Sequence, residues 1–534
     1  MMPRASRRTS RGLLASAAAL STTLLLAAPS PAGAAVSAIA PPPGWAVLES
    51  GTELATGAEF FRFKDLNQVE GHSAVRELNI LRVDPTKGAL RIESTVGASA
   101  SARESVRDQL KAGFFAKHPP LAGINGSYFL AEPKSGFNGD KETLAFLGVS
   151  ARDGVLNGLS CVVKKRDAAN KFVVDAQGKY EPEYGNQAAV LQYGVPSIAR
   201  LKASVTLSYV DKDKQDVPSS PTLTVGGINR DPGRAPCPYD KATLNSAKET
   251  LSPQKKPAYT TTDEIVLFND GYDAKTPPKN LDTTPAITED DSDGVEVSVD
   301  ATGKMNLLKT ARGHQSATAG GYVLQAIGQG AADLTKFVND ANAVDKGYTL
   351  KVTQRVEDMD LTEPVDHVTV QRSIDLDESV DIVSGIHRLL KDGEPVNILN
   401  SCARLHTSTG AAKEEGADYA AGDTCWDSRT TLGIDGQGRT VLATLTGPRD
   451  SAPGTPDGDF MGNVAELLRT GFGVVDAINF DGGGSTTMIV NGTRQSGRTD
   501  TTPVNSADLL TTGERPIADS VYAGNGGLAV KATP

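Results

Sequence analysis

Asp481, Gly482, Gly483, Gly484 and Ser485 stand between two short apolar runs, in A-I-N-F-D-G-G-G-S-T-T-M-I-V-N-G over Ala477–Gly492. Ala477–Phe480 and Thr486–Val490 read as strands, and Asn491-Gly492 signals a tight turn. Successive glycines give up side-chain packing, so they mark a positive φ or a place where a ligand approaches the main chain. Their amides can form an anion-binding concavity, with the Asp481 carboxylate at its entrance and the Ser485 hydroxyl at its exit. The plainer alternative is a hairpin corner with an Asx turn at Asp481.

Other residues that could do chemistry are scattered along the chain. Asn125 ends a strand-like run in A-G-I-N-G-S-Y-F over Ala122–Phe129, where an Asn before Gly is by default a turn former. His387 follows Ser384-Gly385 and could act as a base, although a histidine beside an apolar strand is more often a hydrogen-bonded structural group; His314 and His406 share that status. Pro516 holds Arg515 extended, which aims Glu514 and Arg515 to opposite sides. Taken alone, that pair reads as a surface ion pair at a strand entry.

The elements that must position these groups follow from periodicity. Val75–Val83, Leu90–Ser94, Ile265–Phe268, Thr349–Val356 and Arg429–Asp435 with Arg439–Thr446 read as strands. Helices are expected at Ala102–Lys117, where Val106, Leu110 and Phe114 share a face, and at Ala331–Val338, with Leu334, Phe337 and Val338. A third, capped by Asn463 and closed by Gly471, carries Val464, Leu467 and Leu468 and delivers the chain to the Asp481 bend. The fold class expected is α+β, mixed but mostly antiparallel, with functional loops at one sheet end.

Residues 1–34 read as a secretory signal: Arg4, Arg7, Arg8 and Arg11, an apolar stretch Gly12–Ala28, then Ala32-Gly33-Ala34 as a cleavage site. Residues 35–59, with Pro41-Pro42-Pro43, read as a linker, and 60–534 as the main domain. No other stretch approaches membrane-spanning length. Losing the signal arginines leaves a net charge of about −15, which argues against nucleic acid as partner but not against a small anion held by two or three arginines. Cys161, Cys237, Cys402 and Cys425 in an exported chain suggest two disulfides, by proximity Cys161–Cys237 and Cys402–Cys425. Residues 163–262, rich in Lys, Pro, Thr and Ser, read as an insertion or accessory segment. Thr288–Asp293 is an acidic loop, by default a solvated charge run and otherwise a structural Ca²⁺ site.

The order of five motifs is more specific than any one of them. A-G-I-N-G-S-Y-F, I-V-S-G-I-H-R-L-L-K-D-G, S-R-T-T-L-G-I-D-G-Q-G-R, V-D-A-I-N-F-D-G-G-G-S-T-T-M-I-V-N-G and G-E-R-P-I-A-D-S together resemble the phosphodiester glycosidase domain family. That family includes a lysosomal enzyme that removes N-acetylglucosamine from its phosphodiester link to mannose. The resemblance runs from about Val75 to about Val530, interrupted by 163–262, and implies hydrolysis of a sugar joined through its anomeric carbon to phosphate. Wall, capsular or exopolysaccharide polymers are the implied substrates. Two positions depart from the family pattern: Val464 stands where relatives are often acidic, and T-G-P-R-D, with Arg449 and Asp450, stands for a D-G-R pattern.

On that reading, Arg429 and Arg515 would neutralise the leaving phosphate, assisted by the amides of Gly482, Gly483 and Gly484. Asp481 and Glu514 would supply the carboxylates, and Asn125 and Asn479 would orient sugar hydroxyls or phosphate. No cofactor is required. A serine-nucleophile reading at Ser485 lacks a G-x-S-x-G elbow. Two other classes stay open: a non-catalytic glycan-binding or wall-binding protein, and a metal-dependent phosphodiesterase using Asp450, Asp476 and Asp481. The oligomeric state is left open.

Overall fold

A computed structural model describes residues 39–66, 75–111, 120–131, 143–160, 162–164, 173–176, 182–184, 186–232, 263–278, 294–308, 312–343, 347–365, 368–385, 387–396, 427–450, 458–499 and 513–525. The four cysteines, the acidic loop Thr288–Asp293, His406 and the N-terminal segment 1–34 lie outside these residues.

Among the described residues the architecture is predominantly antiparallel β, with few helices, which corrects the more balanced α+β expectation. An eight-stranded sheet runs Trp45–Ala55, Ala58–Asp65, Glu77–Val83, Thr440–Thr446, Arg429–Asp435, Val474–Asn479, His387–Lys391 and Glu394–Pro395. Its central strands are buried on both faces. Phe61, Phe63, Ile80, Ala443 and Leu445 pack on Val464, Ala465, Leu468 and Phe472 of the helix Met461–Phe472. The alternate residues Phe60, Leu81, Leu432, Leu442 and Ile478 pack on Ile124, Met488, Val490 and Val521 of a five-stranded sheet. Covering both faces explains why these strands read as near-continuous apolar runs.

The helices are differently bounded than periodicity suggests. Gly328–Ala341 forms, burying Leu334, Phe337 and Val338. Met461–Phe472 begins at Phe460 rather than Asn463, and ends at Gly473, whose φ of 66° is the left-handed conformation glycine supplies at a helix end. Asn463 instead donates to the Asp459 carboxylate at 2.7 Å. Of Ala102–Lys117, only Val106–Gln109 is helical among the described residues.

Residues 163–262 supply two strands to the middle of a second eight-stranded sheet. Asn186–Gln192 pairs with Val195–Val210 and with Val380–Ser384, and Val195–Val210 also pairs with Thr349–Val365. Ala199, Leu201, Val205, Leu207 and Tyr209 face the core, while Arg200, Lys202, Ser204 and Thr206 lie on the other face. A short linker in place of 163–262 would leave Thr349–Val365 and Val380–Ser384 without these neighbours.

Candidate functional site

The site forms where one large sheet meets the five-stranded sheet, and Asn125 joins them. Completely buried, Asn125 donates to the Asp481 carbonyl at 2.7 Å and accepts from the Thr430 hydroxyl at 2.7 Å and the Thr487 amide at 3.1 Å. Its side chain is committed to three chain segments, so it positions the bend rather than facing a ligand. Asn125→Ala is therefore expected to cost about 3 kcal/mol in urea unfolding, from lost and orphaned hydrogen bonds, and to lower turnover with it. A variant that only raised KM and kept full stability would mean that Asn125 contacts substrate.

The bend itself is short. Its start is tied down by the Asp481 amide donating to the Gly126 carbonyl at 3.0 Å, and Gly483–Ser485 form one turn of 3₁₀ helix. The glycine amides are spoken for more than the sequence suggests. Gly483 donates to the Ser428 carbonyl at 2.9 Å, and the Gly482 amide turns to the Asp481 carboxylate.

Asp481 is half-buried. Burial pushes its carboxyl up to about 6, helped by the like charge of Asp427 and opposed by Ser485, Arg515 and the Gly482 amide. The Ser485 hydroxyl exerts that pull without a hydrogen bond of good geometry. Arg515 lies flat over Gly484: a Cβ there would sit 2.3 Å from Arg515 Nη2 and 2.6 Å from Cζ. The third glycine is thus required by the approach of the guanidinium. Arg429, on the first residue of its strand, donates through Nε to the Asp459 carbonyl at 3.0 Å, and a Cβ on Gly482 would lie 3.7 Å from its Nη1.

Asn479, Thr431 and His387 form a row across three adjacent strands, since Asn479 pairs in register with both of the others. Asn479 donates to the Tyr128 hydroxyl at 2.7 Å and to its neighbour's carbonyl, Phe480 O, at 2.7 Å, while its own buried Oδ1 has no partner. Burial, and then the positive charge of Arg429, hold His387 down at about 4, so its imidazole is neutral near pH 7 and a weak base. His314 lies apart, its amide bonded to the Thr276 carbonyl at 2.9 Å.

Glu514 and Arg515 do meet different partners, as their alternation requires. Glu514 is buried in an ion pair with Arg107 at 2.6 Å, whereas Arg515 faces the bend. The carboxylate whose charge reaches Asp481 from the other rim is Asp427; its Oδ2 would lie 2.8 Å from a Cβ on Gly483. Asp476 is paired with Arg388 at 2.5 Å and the Asp450 side chain is exposed beside Arg449, so these two do not gather around Asp481. Among the described residues no group of three or more His, Cys, Asp or Glu is arranged to hold a metal ion.

Asp427, Tyr128, Ser127 and Asp519 have no assigned part in the sequence reading. Asp519 is fully buried and accepts from the Ser127 amide at 2.5 Å and hydroxyl at 2.8 Å. Burial pushes it up to about 7, and the negative charges of Asp381 and then Asp481 add to the shift. The available signal was an acid between Ile517-Ala518 and the run Ser520–Ala523.

Residues 310–523 match the family model for phosphodiester glycosidase, so the resemblance read from the motif order holds over that stretch. Arg429, Asn479, Asp481, the glycines, Glu514 and Arg515 lie within it, and Asn125 lies outside it. A chain from Burkholderia pseudomallei named "Putative exported protein" shares the fold, with a TM-score of 0.59 at 16% identity over 92% of this chain and 98% of its own. The catalytic domain of zebrafish N-acetylglucosamine-1-phosphodiester alpha-N-acetylglucosaminidase, auto-inhibited by its pro-peptide, aligns at 12% identity over 90% of this chain and 87% of its own. Its TM-score is 0.29, too low to carry an argument about fold. No curated protein matches the chain. Among the described residues no helix is long and apolar enough to cross a membrane.

Proposed function

We propose, from the phosphodiester glycosidase stretch over residues 310–523, that this protein hydrolyses a sugar from its anomeric phosphodiester. The observation that carries this reading is the juxtaposition of a half-buried carboxylate, Asp481, with a guanidinium, Arg515, laid over the glycine beside it. A glycosyl phosphodiester has an anionic, weakly basic leaving group, so its departure needs charge neutralisation more than protonation. Arg515 and Arg429 supply that charge, and a planar fork suits two phosphate oxygens. The bond between the anomeric carbon and the phosphate oxygen breaks, its electron pair leaves with the phosphate, and water supplies a hydroxyl to the sugar and releases its other proton to solvent.

Asp481, ionised above about pH 6, is the carboxylate that meets the developing positive charge at the anomeric carbon. Asp427 is the second carboxylate at the bend, a better-placed partner than Glu514, whose charge is matched by Arg107. Asn479, whose buried Oδ1 has no hydrogen-bond partner, and Tyr128, which accepts from Asn479, are the candidates for holding sugar hydroxyls. No cofactor enters this scheme. With residues 1–34 as an export signal, the substrates are sugar-phosphate polymers or their fragments outside the cytoplasm.

The test is product analysis on a panel of sugar-1-phosphodiesters in oxygen-18 water, with and without a chelator. Label in the sugar and insensitivity to chelator are expected. Label in the phosphate would instead assign a phosphodiesterase, and saturable binding without turnover would assign a glycan-binding protein.

A further inference from the structure

A second cationic cluster adjoins the 513–515 segment. Arg494, at the end of the five-stranded sheet, is 8% exposed, and its Nε and Nη1 have no hydrogen-bond partner among the described residues. Its remaining nitrogen, Nη2, reaches only the Arg449 carbonyl, at 3.5 Å. Nε of Arg498 is buried and unpartnered in the same way. A buried guanidinium without acceptors is costly, so these forks point to a missing anion.

Among the described residues, the local negative charges do not fill the deficit. Glu514, which faces this cluster, is already paired with Arg107, and Asp450 extends into solvent. Burial first, then the positive charges of Arg498 and Arg107, hold Arg494 down at about 10 against the pull of Glu514 and Asp450. Half-exposed Arg498 and partly exposed Arg107 give an approach from solvent.

The cluster is also joined to the bend. Thr499, next to Arg498, donates its hydroxyl to the Gly484 carbonyl at 3.1 Å, and a Cβ on Gly513 would meet Arg498 Cβ at 2.6 Å. Glu514 pairs with Arg107 while the consecutive Arg515 meets Gly484, so one short segment links the two cationic groups.

We propose that Arg494 and Arg498, with Arg107 at the rim, form a second oxyanion site that takes a phosphate group beside the one held at Arg515. The site itself rests on the unpartnered arginines. Assigning its phosphate to the substrate rests on the glycosyl-phosphodiester reading, and makes the substrate one that carries a second phosphoryl group near the scissile diester.

The test begins with calorimetric titration of the full chain with inorganic phosphate. Saturable binding is expected in the wild type, weakened by at least about tenfold in Arg494→Gln and in Arg498→Gln, since each removes charge-assisted donors. Arg498→Gln, being half-exposed, keeps the measurement meaningful should the buried variant fail to fold. No saturable binding in the wild type, or equal affinity in a folded Arg498→Gln, overturns the site.

A substrate arm separates the sources, comparing a sugar-1-phosphodiester with its homologue bearing a second phosphate. A KM raised by Arg498→Gln for the second substrate alone assigns the site to the substrate's own phosphate. Equal KM values with loss of inhibition by phosphate assign it to free phosphate. Phosphate binding without turnover of any diester would reject the glycosidase reading and leave the oxyanion site standing.

Discussion

Asp481→Asn is expected to lower turnover by orders of magnitude while leaving the folded protein at least as stable as the wild type above pH 6. The carboxyl is pushed from an ordinary value of 3.8 up to about 6, chiefly by burial, so the folded state holds the proton more tightly than the unfolded chain. Its contribution to stability is therefore fully present below pH 3.8, declines as pH rises, and is lost once pH passes about 6. The loss is at most about 3 kcal/mol and smaller in practice, because the carboxylate is half-open to water. Asparagine has the same shape and carries no charge to desolvate, so it escapes the penalty. It also cannot attack or stabilise an oxocarbenium-like carbon.

Melting curves of both proteins at pH 4 and pH 8 check the first half of this expectation, the two converging at the lower value. Turnover on one sugar-1-phosphodiester checks the second, with the wild-type rate climbing through about pH 6 as Asp481 ionises. A variant retaining a tenth of wild-type turnover would remove Asp481 from the chemistry.

Gly484→Ala should separate folding from function even more sharply. Gly484 does not use a left-handed φ, so alanine is compatible with its backbone. The added Cβ would nevertheless occupy the place of the Arg515 guanidinium, 2.3 Å from Nη2. A flexible arginine moves aside at little cost, and stability should change by less than about 1 kcal/mol. Charge stabilisation in a preorganised site does not survive such a displacement, and turnover should fall about 10²- to 10³-fold, as for loss of one aligned donor. Gly483→Ala is a contrast, since φ of 57° strains any side chain there and stability itself should drop. Normal turnover in Gly484→Ala would show that Arg515 does not act where the bend places it.

Much of the site was legible because its parts are local. The strand, the glycine bend and the following strand read directly from Ala477–Val490, and Pro516 was enough to send Glu514 and Arg515 to different partners. What alternation and spacing cannot express is which distant segments meet. Asn125 was correctly placed at a strand end, but its bonds to Thr430, Asp481 and Thr487 turn an apparent ligand contact into a brace. Asp519 and Asp427 acquire their importance only from burial beside Asp481.

The fold class was biased by short helical periodicities, of which Val106–Gln109 became a single turn. Conversely, Val195–Val210 has a period-two pattern that the Lys, Ser and Thr composition of the 163–262 insertion or accessory segment obscures; those residues are the non-core face of a strand.

The Asn125 brace also sets when the bend can be assembled. Its bond to the Asp481 carbonyl closes a span of 356 residues, and the segments it joins come from opposite ends of the domain. Contacts of such high sequence separation carry the largest chain-closure cost and slow folding. A chain whose C-terminal strands have yet to dock holds its carboxylates and arginines in separate pieces. The bend, Asn125 and Arg515 therefore come together only when the last strands of the chain dock, and a polypeptide cut short before Arg515 cannot assemble them.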